Sequence, residues 1–258
     1  RQGPTAKVRR LRCKATWSGT WLVAVPRDPT LTMLDCEFRH AWASRLGTNP
    51  RPEWHLGPGE RTRRHNLVRD GLRTLLCPIT ATVTREQREP ILGHIPDLRC
   101  ELHDRQVCYL EVHIRHAIMN PDRRECASSL ARWGRSADAF LEEAWRLRLN
   151  QYRAQDPGLV AFGQWPFRLV PAVANTWGGW HATFGHWARQ LCRDRAESVA
   201  VEGVDRHSHA AVLCSRLAQA CSVLVVKATA RADLAASGAG VEGAWAAGEA
   251  EVPIHPQA

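Results

Sequence analysis

The chain has 258 residues, 44% of them hydrophobic and 24% charged, with a formal net charge of +9. That length suits one sizeable domain or two small ones, and the composition is globular rather than disordered. No uninterrupted run of about eighteen apolar residues occurs, so no spanning helix is expected. The chain opens on Arg1 with no charged-then-apolar leader, the pattern expected of a fragment or excised domain without a secretory signal.

Residues 17–25 have strand composition, and Ser18-Gly19 would turn them. Residues 45–61 carry Pro50, Pro52, Gly57, Pro58 and Gly59 and read as a linker. The expected division is an N-terminal region over 1–60, a main domain over 61–226, and a loose Ala/Gly-rich tail over 227–258. Past residue 63, Leu67, Val68, Leu72, Leu75 and Leu76 share one helix face, with Pro78 just beyond its end. Residues 79–84 read as a strand, 85–89 as a charged turn and 96–114 as two strands. Residues 121–155 are helical, with apolar positions at Leu130, Trp133, Ala137, Phe140, Leu141, Ala144, Trp145 and Tyr152. Gly134 breaks this stretch, and Ser136 caps its second half. A buried strand over 167–174, a turn at Gly178-Gly179, and helices over 181–195 and 209–226 complete the order. Helix, three strands, helix, strand and further helices predict an α/β (α+β) fold with a mixed central sheet and flanking helices.

All but three of the 35 basic residues are arginine, the lysines being Lys7, Lys14 and Lys227. A GC-rich genome explains most of such a bias; the guanidinium also suits phosphate, which it holds bidentately. Chemistry that needs a catalytic lysine has almost none to draw on. The nine cysteines are an odd number with no C-x-x-C pair, which fits reduced thiols in an intracellular protein. Cys36 with His40, and His113 with His116, have zinc-ligand spacing, but neither finds a matching second pair. There is no G-x-S-x-G elbow and no P-loop, so serine-hydrolase and P-loop nucleotidase readings have no support. His181 and His186, among Trp177, Trp180 and Trp187, read as capping or packing groups.

The most informative stretch is residues 96–114. With His103-Asp104-Arg105 as a three-residue loop, Cys100 faces Cys108 and Asp97 faces Glu111. Leu98, Cys100, Leu102, Cys108, Leu110, Val112 and Ile114 then form an apolar face. The other face holds Asp97, Arg99, Glu101, Tyr109, Glu111 and His113. Directly opposed carboxylates repel unless one is protonated or a cation lies between them, and a divalent metal with oxygen ligands is one resolution. An amphipathic hairpin with a solvated polar face, Arg99 neutralising one acid, is the other.

Pro96-Asp97 followed by Glu111-Val112-His113, between two helices, resembles the PD-(D/E)XK nuclease pattern. Arg64-His65-Asn66 opens the first of those helices, and Ala131-Arg132-Trp133-Gly134 lies on the helix after the hairpin. Both motifs resemble the restriction-like endonuclease domain of certain non-LTR retrotransposons. The strand Leu169-Val170-Pro171-Ala172-Val173 with Gly178-Gly179 is similar to that family's later strand and glycine turn. The resemblance covers residues 63–195, about half the chain, and implies a restriction-endonuclease-like αβββαβ core.

The resemblance further implies a metal-dependent endonuclease that nicks target DNA for retrotransposon integration. Asp97 and Glu111 would bind Mg²⁺ or Mn²⁺, with His65, His113 and Arg132 as supporting catalytic groups. Arg63, Arg64, Asn66, Arg69, Arg132 and Arg135 would contact nucleic acid. The partners implied are DNA and a reverse transcriptase domain in the same polyprotein, in an intracellular, nuclear setting without a membrane. His113 stands where the family has lysine and Arg132 at the alternative helix position. Histidine can relay a proton at neutral pH, whereas arginine stays charged and stabilises phosphate. No zinc knuckle with the family's spacing occurs in residues 1–60. The alternative function is a non-catalytic, degenerate nucleic-acid-binding domain of the same fold.

Overall fold

The structure, a computed structural model, describes residues 8, 11, 13–24, 28–46, 56–85, 96–116, 126–155, 169–199 and 205–238. Its helices are α1 (Asp35–Leu46), α2 (Pro58–Leu76), α3 (Cys126–Trp133), α4 (Ala139–Gln155), α5 (Ala182–Ser198) and α6 (Arg206–Ala236). Its strands are β1 (Thr82–Arg85), β2 (Leu98–Glu101), β3 (Val107–Arg115) and β4 (Leu169–Asn175). They form one mixed sheet in the order β1-β2-β3-β4, antiparallel up to β3 and parallel between β3 and β4. A parallel neighbour needs a long crossover, and α3 and α4 lie in that connection.

The hairpin forms as its alternation predicts. Cys100 pairs with Cys108 and Leu98 with Leu110. The Leu102 N–H donates to the Gln106 carbonyl at 2.8 Å, and Arg105 turns the chain at φ +67°. Leu98, Cys100, Leu102, Cys108, Leu110 and Val112 are all buried, with Ile114 packed against them. On this face they meet Val68, Leu72 and Leu76 of α2, Phe184, Trp187 and Leu191 of α5, and Leu217 and Val225 of α6. Each such side chain taken fully from water contributes about 1.5–3 kcal/mol. The opposite face is smaller: Leu130, Trp133, Phe140, Leu141 and Ala144 of α3 and α4 cover Val173. β4, covered on both sides, is buried along its whole length.

α2 starts at Pro58, ahead of the apolar periodicity, because Pro is suited to a first helical turn. Ser136 accepts the Ala139 N–H at 3.0 Å as α4 begins, and His181 caps α5 by accepting the Thr183 N–H. Both agree with the roles read from the sequence.

Two expectations are corrected. Residues 20–23 form a 3₁₀ turn rather than a strand, with Trp21 buried against the main core. The N-terminal region shares that core through Trp21, Leu31 and Ala41. The helix expected to end at Val226 runs to Ala236, with Ala228, Ala230 and Ala232 buried; residues 239–258 of the expected tail lie outside the described residues. So do residues 47–55 of the linker and 86–89 of the charged turn.

α6 also has an 18-residue window of mean hydropathy 1.5, long and apolar enough by length and composition to cross a membrane. The interruptions that hide it from a count of consecutive apolar residues do not lower its average enough. Half that window is buried within the protein. The same helix is pinned by charge: Lys227 donates to the Thr30 and Thr32 carbonyls at 2.6 and 2.7 Å, and Asp233 meets His40 at 3.0 Å. Arg231 pairs with buried Glu37, which also accepts the Leu34 N–H at 2.7 Å, closing the start of α1.

After β4, Asn175 Oδ1 accepts the Trp177 and Gly179 N–H groups, both at 3.0 Å. Gly178 sits at φ +79° inside this turn, and a Cβ there would lie 2.4 Å from Ser222 Oγ and 2.8 Å from the Ser222 carbonyl of α6. Gly178→Ala is therefore expected to cost about 3 kcal/mol, from left-handed strain and the backbone clash together. Urea unfolding checks this; a midpoint equal to that of the parent chain would show the turn has room to relax.

Candidate functional site

β2 pairs with β3 no further than Leu98 opposite Leu110. Beyond that point the β2-facing edge of β3 needs another acceptor, and Asp97 supplies it: its Oδ2 accepts the Val112 N–H at 2.7 Å. The other oxygen, Oδ1, meets His65 Nε2 of α2 at 2.9 Å. Glu111, one residue past the last pair on β3, hydrogen-bonds to Asp97, so the two acids meet across the hairpin end as the register predicts. Burial foremost, then the Asp97 charge, pushes the Glu111 carboxyl from its ordinary 4.5 up to about 8. In the absence of a cation it is thus protonated at neutral pH and donates to Asp97.

Tyr152 and Arg148 of α4 complete the surroundings. They stand four residues apart and so share a helix face. The Tyr152 hydroxyl donates to Glu111, and burial together with that acid pushes the phenol up. Arg148 points Nε and a terminal nitrogen at His113 Nδ1, at 3.2 and 3.0 Å. On the other side Arg115 Nε meets His113 Nε2 at 2.7 Å. Burial, followed by the charges of Arg148, Arg115, His65 and Arg64, lowers His113 to about 3. His113 is thus neutral at physiological pH.

The structure therefore brings His65, Asp97, Glu111 and His113 together, with Arg64 close enough to act on His113. Arg132 is instead turned toward Ser129 and Glu143 at 3.1 and 3.5 Å, its side chain 54% exposed. The guanidinium that α4 supplies to the acids is Arg148. Arg69 is buried and bonded to Asp70 at 2.9 Å, so it is not presented to a ligand on the surface. Arg63 and Arg135 are exposed, and Asn66 is half-buried beside His65. Sequence reasoning does not single out Arg148, Tyr152 or Arg115. The available signal is the spacing of Arg148 and Tyr152, but in the helical periodicity Tyr152 reads only as an apolar position.

Among the described residues, no three His, Cys, Asp or Glu side chains are grouped to hold a metal, and His40 is engaged with Asp233. The donor chemistry at the hairpin end is two carboxylates. That set fits a hard cation such as Mg²⁺, which takes one or two protein carboxylates and keeps waters or phosphate oxygens for the rest. It does not fit a structural zinc site, which needs four protein ligands. No protein-family model, curated protein or solved structure matches the chain.

The Glu111 proton has a consequence for stability. The unfolded carboxyl releases it near 4.5 and the folded one near 8, so the folded chain holds the extra proton across that window. Stability contributed by Glu111 falls as pH rises through it. His113 acts oppositely, its contribution being lost as pH falls from 6.5 toward about 3. Comparing Glu111→Gln with the parent cancels the histidine. The variant is expected to gain in Tm relative to the parent as pH rises from about 5 to about 8. A constant offset across that range would mean Glu111 ionises normally.

Proposed function

We propose that this chain is a metal-dependent DNA endonuclease domain with a restriction-like αβββαβ core, of the kind that nicks target DNA for retrotransposon integration. The observation that carries this reading is the Asp97–Glu111 pair, held face to face at the end of the hairpin with Glu111 kept protonated by burial and by its neighbour. The order of elements, helix, three strands, helices, parallel strand, supports the same reading. The net charge of +9 suits a polyanionic substrate.

Asp97 and Glu111 would hold Mg²⁺ or Mn²⁺ once Glu111 gives up its proton. A divalent cation there supplies Lewis acidity, lowering the pKa of a water and stabilising charge on the phosphate. The chain's own groups do the remaining work. The Val112 N–H fixes Asp97 against rotation. Asp97 in turn engages one ring nitrogen of His65, leaving the other to hold a proton from water or from the leaving oxygen. Arg148 offers the phosphate a guanidinium next to the acids, the role expected of Arg132. Tyr152 orients Glu111 through its hydroxyl.

The second reading is a degenerate DNA-binding domain of the same fold, and a specific observation favours it. His113, at the family's lysine position, is a poor base at about 3 with guanidinium groups at both ring nitrogens. Nicking of supercoiled plasmid with Mg²⁺, Mn²⁺ or EDTA separates the two. An active nuclease should nick only with metal and lose nicking in Asp97→Ala. Arg148→Ala should lower the rate about 100-fold, as removing a charge-stabilising donor does, and Arg132→Ala less than about tenfold. DNA binding that ignores metal, without nicking, establishes the second reading.

A further inference from the structure

His113 and Arg115 stand two residues apart on β3 and so point to one face of the sheet. His113 is in register with Val173 of β4, which α3 and α4 cover, and α4 brings Arg148 to the same place. The result is an imidazole held between two guanidinium groups. Arg115 Nε lies 2.7 Å from His113 Nε2, and Arg148 Nε and Nη2 lie 3.2 and 3.0 Å from Nδ1. A neutral imidazole has one acceptor nitrogen and one N–H, so it satisfies only one of these two approaches. The other guanidinium points a donor at a donor. Among the described residues neither arginine pairs with a carboxylate, and the one further contact is from Arg148 to Gln151 Oε1 at 2.9 Å. The nearby acids are engaged elsewhere. Glu143 accepts from Trp133 Nε1 and Arg132 at 3.0 and 3.5 Å, Asp97 meets Val112 and His65, and Glu111 holds its proton.

We propose that Arg115 and Arg148, spaced by the His113 ring, form a binding site for a phosphate group that needs no metal. Phosphate oxygens are acceptors only, so they give both guanidinium groups the partner that one imidazole cannot. The two ring nitrogens of His113 flank a single carbon, so both guanidinium groups stand at the same end of the ring, within reach of one tetrahedral oxyanion. Arg115 is exposed at the end of β3 and Arg148 is half-buried, so the pair is reachable from solvent. Burial first, and then the Arg148 charge, lower Arg115 from its ordinary value, with Glu143 opposing them. His113 acts here as a positioning residue: it sets the spacing of the two arms and accepts from one of them. Only the source of the phosphate, a nucleic-acid strand, rests on the proposed function; the acids and the metal take no part in this site.

The test uses the full chain in EDTA, with inorganic phosphate as the probe and the arginine Nε–H signals read by ¹⁵N NMR just below neutral pH. The Arg115 and Arg148 signals, each identified by its loss in Arg115→Gln or Arg148→Gln, should shift saturably with phosphate. Chloride at equal ionic strength should not move them. Arg115 is exposed, so Arg115→Gln leaves the core intact; followed on the Arg148 signal, it should weaken phosphate binding about tenfold, as loss of a charge-assisted bond does. Arg146→Gln, on the same helix and paired with Glu142 at 2.8 Å, should leave binding unchanged. Two thymidine dinucleotides separate the sources of the phosphate. The one with only an internal phosphodiester should compete with inorganic phosphate; competition confined to its 5′-phosphorylated form would assign the site to a strand end. No saturable shift, a shift that chloride reproduces, or equal weakening by Arg146→Gln would each overturn the site. No metal is present, so a chain that binds phosphate but fails to nick plasmid keeps this site and loses the nuclease reading, and the reverse result does the opposite.

Discussion

Two acids forced together at the end of a hairpin are the constraint around which the rest of this structure is arranged. Opposed residues on antiparallel strands bring Cβ atoms to about 5 Å. At an effective dielectric near 20, two full charges about 5 Å apart repel by roughly 3 kcal/mol, before the larger cost of burying either one. Burial leads that penalty for Glu111, and the chain resolves it by keeping the proton. Asp97 carries three attachments at once: the Val112 N–H, the His65 ring and the Glu111 carboxyl. Under the proposed function, a cation bound here would replace the proton that now separates the charges.

Everything that holds this pair is long-range. α2 supplies His65 from one side of the hairpin and α4 supplies Arg148 and Tyr152 from the other, so the site exists only when both helices are seated. α2 is seated by α6, whose Leu224 comes so close that a Cβ on Gly71 would lie 2.4 Å from it. α6 is in turn fastened to α1 by Arg231–Glu37 and His40–Asp233, and to the residues before α1 by Lys227. The N-terminal region therefore braces the helix that backs the site, although it contributes no side chain to the acids.

What can be read in the sequence is what local periodicity determines. The hairpin register follows from strict alternation, since a one-residue slip would turn Glu111 and His113 into the apolar core and expose Leu110 and Val112. The α2 face follows from its leucine spacing, and the glycine turn from Gly178-Gly179. The phase of α3 and α4 relative to the sheet is not legible, because the break at Gly134 resets the rotation of one helix against the next. Arg132 is singled out by its resemblance to a family motif, which carries no information about that phase; Arg148, on the helix after the break, is the guanidinium near Glu111. The extent of α6 is hidden by its own composition: alanines past Val226 suggest a loose tail when they are in fact small side chains that let helices approach closely. Residues 20–23 mislead for the opposite reason, their aromatic and β-branched content being used for packing a single turn.

Glu111 holds its proton because it is half-buried and faces Asp97, and under the proposed function a divalent cation is expected to take that proton's place. Selective ¹³C labelling of glutamate carboxyls with an NMR pH titration tests this directly. One carboxyl, identified by its loss in Glu111→Gln, should titrate near 8 without metal and fall into the ordinary carboxylate range when Mg²⁺ is added. Titration of every glutamate in the ordinary range without metal, or a raised midpoint that Mg²⁺ leaves unmoved, would contradict it.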